Sequence, residues 1–122
     1  MKYERPEKLK STTYKIKPPV IDSAIYITIC DDEVNGQTRP VEVFINSKDM
    51  PSFQWVSCIN QLLSHQFQTM ERFPAEAVEK MVETYDTSGG YIIPKALGKR
   101  ANSVAGHIGL VLQQHCKALG LL

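Results

Sequence analysis

Alternation between apolar and polar positions governs the first third of the chain. Thr12, Tyr14 and Ile16 alternate with Thr13, Lys15 and Lys17, the period-two pattern of a strand with one wet face, and Pro18-Pro19 ends it. In AIYITIC the isoleucines Ile25, Ile27 and Ile29 share one face, while Tyr26, Thr28 and Cys30 share the other. The acidic stretch DDEVNGQTRP follows and contains Asn35-Gly36, a hairpin signal because both residues accept positive φ at little cost. The returning strand VEVFIN places Val41, Val43 and Ile45 on the inner face and Glu42, Phe44 and Asn46 on the other.

After residue 46 the period changes from two to that of a helix. Ser47, Asp49 and Ser52 are candidate N-caps, and Pro51 suits a first helical turn. Over residues 53–70, Val56, Ile59, Leu63, Phe67 and Met70 form one apolar stripe that Trp55, Cys58 and Leu62 widen. Trp55, in the first turn beside the sheet, is expected to be buried. The stripe is wider than one small sheet covers, which predicts a homodimer with Phe53, Trp55 and Phe67 as candidate interface residues. Phe73-Pro74 opens a second helix, AEAVEKMVETYD, with Glu76 near its positive end and a narrow stripe of Val78, Met81, Val82 and Tyr85. TSGGYIIPKALGKR reads as a long connecting loop, and Asn102 or Ser103 caps a last helix carrying Val104, Ile108, Val111, Leu112, His115 and Leu119 on one side. Strands precede helices, so the expected class is α+β. An antiparallel sheet of three to four strands from the N-terminal half should pack with about three helices from the C-terminal half. Residues 1–10 read as a charged arm or linker remnant, and residues 11–122 as a single domain.

Composition changes this picture little. The 122 residues carry a net charge of +1, 43% hydrophobic and 22% charged residues, values of an ordinary globular chain. No strong affinity for nucleic acid follows. Charge is uneven, however, with a basic N-terminal arm and an acidic second helix. No apolar run nears the ~18 residues of a membrane span and no signal-type core opens the chain, so a cytoplasmic setting is expected.

The candidate chemistry is sparse. Cys30, Cys58 and Cys116 form no CxxC pair, and neither a disulfide framework nor a cysteine zinc site follows. Cys58 reads as a small buried hydrophobe, and Lys117 as a neighbour that lowers the pKa of Cys116. His107 and His115 stand eight apart, about 80° around a helix, without a ligand at i±3 or i±4. His115 is expected at the core edge, with His65 and His107 partly solvated. Asp31, Asp32 and Glu33 read as a solvated hairpin tip. The loop at 88–100 lacks the order of a phosphate-binding P-loop. Its Tyr91, Lys95, Lys99 and Arg100 nevertheless remain candidate contacts for a partner or a polyphosphate. No catalytic residue and no metal ligand is assigned.

The segments ERPEKLKSTTYKIKPP, AIYIT, RPVEVFINSKDMPSFQW, DTSGGYIIPK and SVAGHIGLVLQQHCKALGL, in that order, resemble the C-terminal region of adenosylcobalamin-dependent (class II) ribonucleotide reductases, called the TSCPD domain. The resemblance spans roughly residues 4–121. It implies a domain appended through a linker to a ten-stranded catalytic barrel, and that barrel holds the radical cysteine, the reducing cysteine pair and the cobalamin and substrate sites. This chain is therefore expected to carry no cofactor of its own and to be inactive alone. The TSCPD tetrad is replaced by ANSVA at 101–105, so no functional residue of the family transfers. The opening Met1 ahead of KYERPEKL favours a free-standing homologue, of the kind a phage, prophage or split-reductase genome encodes, over a fragment. Three functions compete: an accessory or regulatory domain that binds a reductase chain, an independent homodimeric interaction protein, and a weak nucleic-acid or nucleotide binder.

Overall fold

The computed structural model describes residues 3–48, 54–96 and 98–122. The proposed caps Asp49 and Ser52, together with Pro51 and the candidate interface residue Phe53, lie outside the described residues. Three strands form an antiparallel meander: β1 (Lys10–Ile16), β2 (Ile25–Val34) and β3 (Gln37–Ser47). The hairpin turns at Asn35 (φ 55°) and Gly36 (φ 75°), as a two-residue turn between twisted strands demands. The strands run further than the alternation suggested. Asp31, Asp32 and Glu33 lie within β2 rather than in the turn, and a bulge between Cys30 and Asp31 shifts the pairing with β3 by one residue from Asp31 onward.

Cross-strand pairs Ile27–Ile45 and Ile29–Val43 build the buried face, and all four side chains are in the core. Tyr26 and Phe44 stand on the exposed face, so helices cover one side of the sheet only. The first helix, α1 (Trp55–Thr69), runs along the outer edge of β3. Asn60 Oδ1 and Ser64 Oγ accept from the backbone N–H of Ile45 and Val43, each at 3.1 Å, while Gln68 Nε2 donates to the Val41 carbonyl at 2.9 Å. A polar line at i, i+4 and i+8 thus occupies backbone groups of an edge that would otherwise recruit another strand. At the far end of α1, the fully buried Arg39 guanidinium donates to the carbonyls of Met70 and Glu71, which the helix leaves without intrahelical donors.

Because α1 lies at the sheet edge, its apolar stripe divides. Val56, Leu63 and Phe67 enter the core, where Phe67 stacks on Phe73 at 5.0 Å. Trp55, 39% exposed, and Leu62, 56% exposed, stay at the surface, and so do Cys58 and Met70. This corrects the expectation of a buried Trp55 and of a buried Cys58, and it places Phe67 inside the chain rather than on an outer face.

The second helix, α2 (Ala75–Glu83), ends before Tyr85, which is 76% exposed and takes no part in the helical stripe. The long connection after it is a two-stranded ribbon, β4 (Tyr91–Ile92) with β5 (Arg100–Ala101), not an open loop. Ile93 N–H to the Lys99 carbonyl, at 2.8 Å, extends the pairing toward the tip. Ser103 caps α3 (Val104–Ala118), accepting from Gly106 N–H at 2.9 Å and donating to the Thr84 carbonyl at 2.6 Å. α3 crosses α2 closely, and at Gly109 a Cβ would come within 2.7 Å of Val82 N. From there Ile108, Leu112 and Cys116 reach the central core. Among the described residues no helix is long and apolar enough to cross a membrane.

A candidate binding cleft and a buried histidine pair

β1 pairs with β2 on one side only, and its other edge borders a cleft whose opposite walls are the β4–β5 ribbon and α3. The cleft has two adjoining compartments, of about 440 and 280 Å³, joined at Ile16, Ile93 and His107. Each element brings lysines: Lys15 and Lys17 from the β1 segment, Lys95 and Lys99 from the ribbon, Lys117 from α3. Among the described residues no carboxylate lines either compartment. Among the described residues none of the five ammonium groups is in an ion pair, so the cleft carries uncompensated positive charge. Ile93, Leu110 and Val111 supply an apolar wall.

Of the contacts expected from sequence, Lys95 and Lys99 therefore line the cleft, whereas Arg100 points elsewhere on the exposed side of β5. Tyr91 is turned inward, 8% exposed, with its hydroxyl 2.8 Å from His107 Nδ1. Burial pushes the Tyr91 phenol up and the His107 imidazole down, so the pair is neutral near pH 7. His107 is 4% exposed, not partly solvated as the sequence suggested. Lys15, Lys17 and Lys117 do not stand out in the sequence as contact residues. Their only signal was position on the wet face of a strand or in a last helical turn, which solvated lysines share.

A second histidine assembly ties the layers together. His115 Nε2 lies 2.9 and 3.0 Å from the two Asp31 oxygens, and its Nδ1 lies 2.8 Å from Tyr14 Oη. Nε2–H donates to the carboxylate, and Nδ1 shares a hydrogen bond with the Tyr14 hydroxyl. Burial, then the Asp31 charge, raises the Tyr14 phenol, which keeps it protonated and a poor nucleophile. The assembly joins β1, β2 and α3, and Tyr14 also lines the cleft. Beside it Cys116 is fully buried, and burial pushes its thiol up to about 12, against the lowering expected from Lys117. All three cysteines are free, and among the described residues no group of three His, Cys, Asp or Glu side chains is placed to hold a metal ion.

The basic arm meets the opposite flank of the sheet. Arg5 Nε pairs with Glu42 at 2.8 Å, and the Tyr3 hydroxyl donates to Asp32 at 2.8 Å. A separate apolar groove of about 490 Å³ runs between α1, α2 and the start of α3, lined by Trp55, Ile59, Leu63, Ala77, Met81 and Ala105 among others. No family model, curated protein or solved structure matches this chain.

Proposed function

We propose that the chain is a non-catalytic accessory or regulatory domain of ribonucleotide reduction, related to the C-terminal region of class II reductases and acting by binding. The motif resemblance over residues 4–121 supports the family. The observation that carries a binding role is the cleft, where five lysines from three elements converge without a carboxylate among the described lining residues. Such a surface attracts an acidic partner and speeds its encounter. The partner in this reading is an acidic face of a barrel-containing reductase chain in the cytoplasm. Adenosylcobalamin and the radical chemistry belong to that chain, and this one alone turns over no ribonucleotide. Sedimentation of the two proteins mixed, with and without Lys95→Glu/Lys99→Glu, tests the proposal. A complex weakened by the charge reversal supports it, and the absence of any complex overturns it.

A second reading, an independent homodimeric interaction protein, draws on the apolar groove bordered by the half-exposed Trp55, with Leu62 exposed on the same helix. Light scattering over a hundredfold dilution distinguishes the two. A mass near twice 13.7 kDa throughout, without a reductase complex, favours the homodimer.

A further inference from the structure

The cleft is more than a charged surface, because a polar ring forms part of its lining. His107 is 4% exposed and lines both compartments. Its Nδ1 is occupied by Tyr91 Oη, and among the described residues its Nε2 meets no hydrogen-bond partner. With the Tyr91 hydroxyl donating to Nδ1, the proton sits on Nε2, which leaves an N–H donor on a ring that lines the lysine cleft. We infer that the cleft is a binding site for a phosphate chain, with His107 Nε2–H as the inner donor and Lys15, Lys17, Lys95 and Lys99 as the cationic rim.

The parts match that ligand chemically. Phosphate oxygens accept from several donors at once, and lysines hold them as mobile point charges while a fixed N–H sets the depth. A lone carboxylate would satisfy one or two of these donors and leave the rest unmet. The apolar wall of Ile93, Leu110 and Val111 adjoins the phosphate position and suits the apolar part of a nucleoside triphosphate, although an inorganic polyphosphate presents the same charged chain. The inference rests on the reading of the cleft as the binding surface but requires no reductase.

The test uses the full chain with histidine labelled by ¹⁵N, titrated in parallel with sodium tripolyphosphate and with ATP. Binding is expected in the submillimolar range, with the His107 Nε2 resonance displaced at saturation while His65 stays in place. The double variant Lys95→Glu/Lys99→Glu, both exposed ribbon positions, should bind at least about tenfold more weakly and keep its unfolding temperature. Equal affinity for the two probes assigns the site to the phosphate chain alone, and tighter ATP binding assigns the apolar wall to the nucleoside. Both outcomes support the inference. It is overturned if neither probe binds at about 5 mM, if binding leaves the His107 ring unmoved, or if the double variant binds as the original does. A reductase complex that forms without phosphate binding would also overturn it while leaving the accessory function standing. Phosphate binding without a complex would do the reverse.

Discussion

At Gly109 α3 lies tight against α2, and Gly109→Ala puts a large steric demand on a small chemical change. The added Cβ would lie 2.7 Å from Val82 N, 2.9 Å from Met81 C and 3.1 Å from Val82 Cα. All three are backbone atoms of a helix, so no side chain can swing aside. The helices must separate. Overpacking of this kind costs about 1–3 kcal/mol, and backbone contacts below 3 Å place it near the upper end. Against this, alanine gains about 1 kcal/mol of helix propensity over glycine. The steric term wins by about 2 kcal/mol. For 122 residues the unfolding entropy is about 0.26 kcal/mol per degree, so Tm should fall by about 8 °C. Thermal unfolding followed by far-ultraviolet circular dichroism reads this directly. A Tm unchanged, or raised by the ~4 °C that propensity alone would give, refutes the close crossing. The consequence reaches the cleft, because the same helix carries His107 and His115.

Three further outcomes follow from named side chains. Iodoacetamide should label Cys58, the one exposed thiol, in the native protein and reach Cys30 and Cys116 only on unfolding; peptide mapping that finds Cys116 labelled early would contradict its burial. Asp31→Ala should cost about 1–3 kcal/mol in urea unfolding, because the His115 Nε2–H loses its acceptor, and a change below ~0.5 kcal/mol would show the assembly contributes little. Burial holds the folded His107 pKa below the ordinary 6.5, so the unfolded chain takes up this proton first as pH falls. The stability tied to a neutral His107 is therefore complete above about pH 6.5 and lost as pH falls through the folded pKa, and between about pH 7 and pH 5 the urea midpoint of His107→Phe should drop less than that of the original chain.

What the sequence displayed was local order. The Ile25–Ile27–Ile29 face, the Asn35-Gly36 turn and the Ser103 cap each depend on residues within one element or its nearest neighbour, and the fold class follows from their order. What it concealed was pairing across the chain. Tyr14 and Asp31 meet His115 across separations of 101 and 84 residues, and no spacing rule connects them. Tyr91 and Lys95 lie four residues apart in one punctuated segment, yet ribbon pairing buries the first and exposes the second. Trp55 misled for a related reason. Helical periodicity states which residues share a face, not what covers that face, and α1 turned its Asn60–Ser64–Gln68 line to the sheet edge. That polar line was visible at four-residue spacing, but its usual meaning is a solvated surface.

The central claim is that this domain acts by binding through the lysine cleft. Sedimentation velocity of the chain mixed with a barrel-containing class II reductase chain tests it most directly. The account predicts a faster-moving complex that dissociates as salt rises and is weakened by Lys95→Glu/Lys99→Glu, since exposed charges are screened beyond about 8 Å at physiological ionic strength. Two boundaries that never merge at any ratio, or a complex indifferent to both salt and the charge reversal, would contradict it.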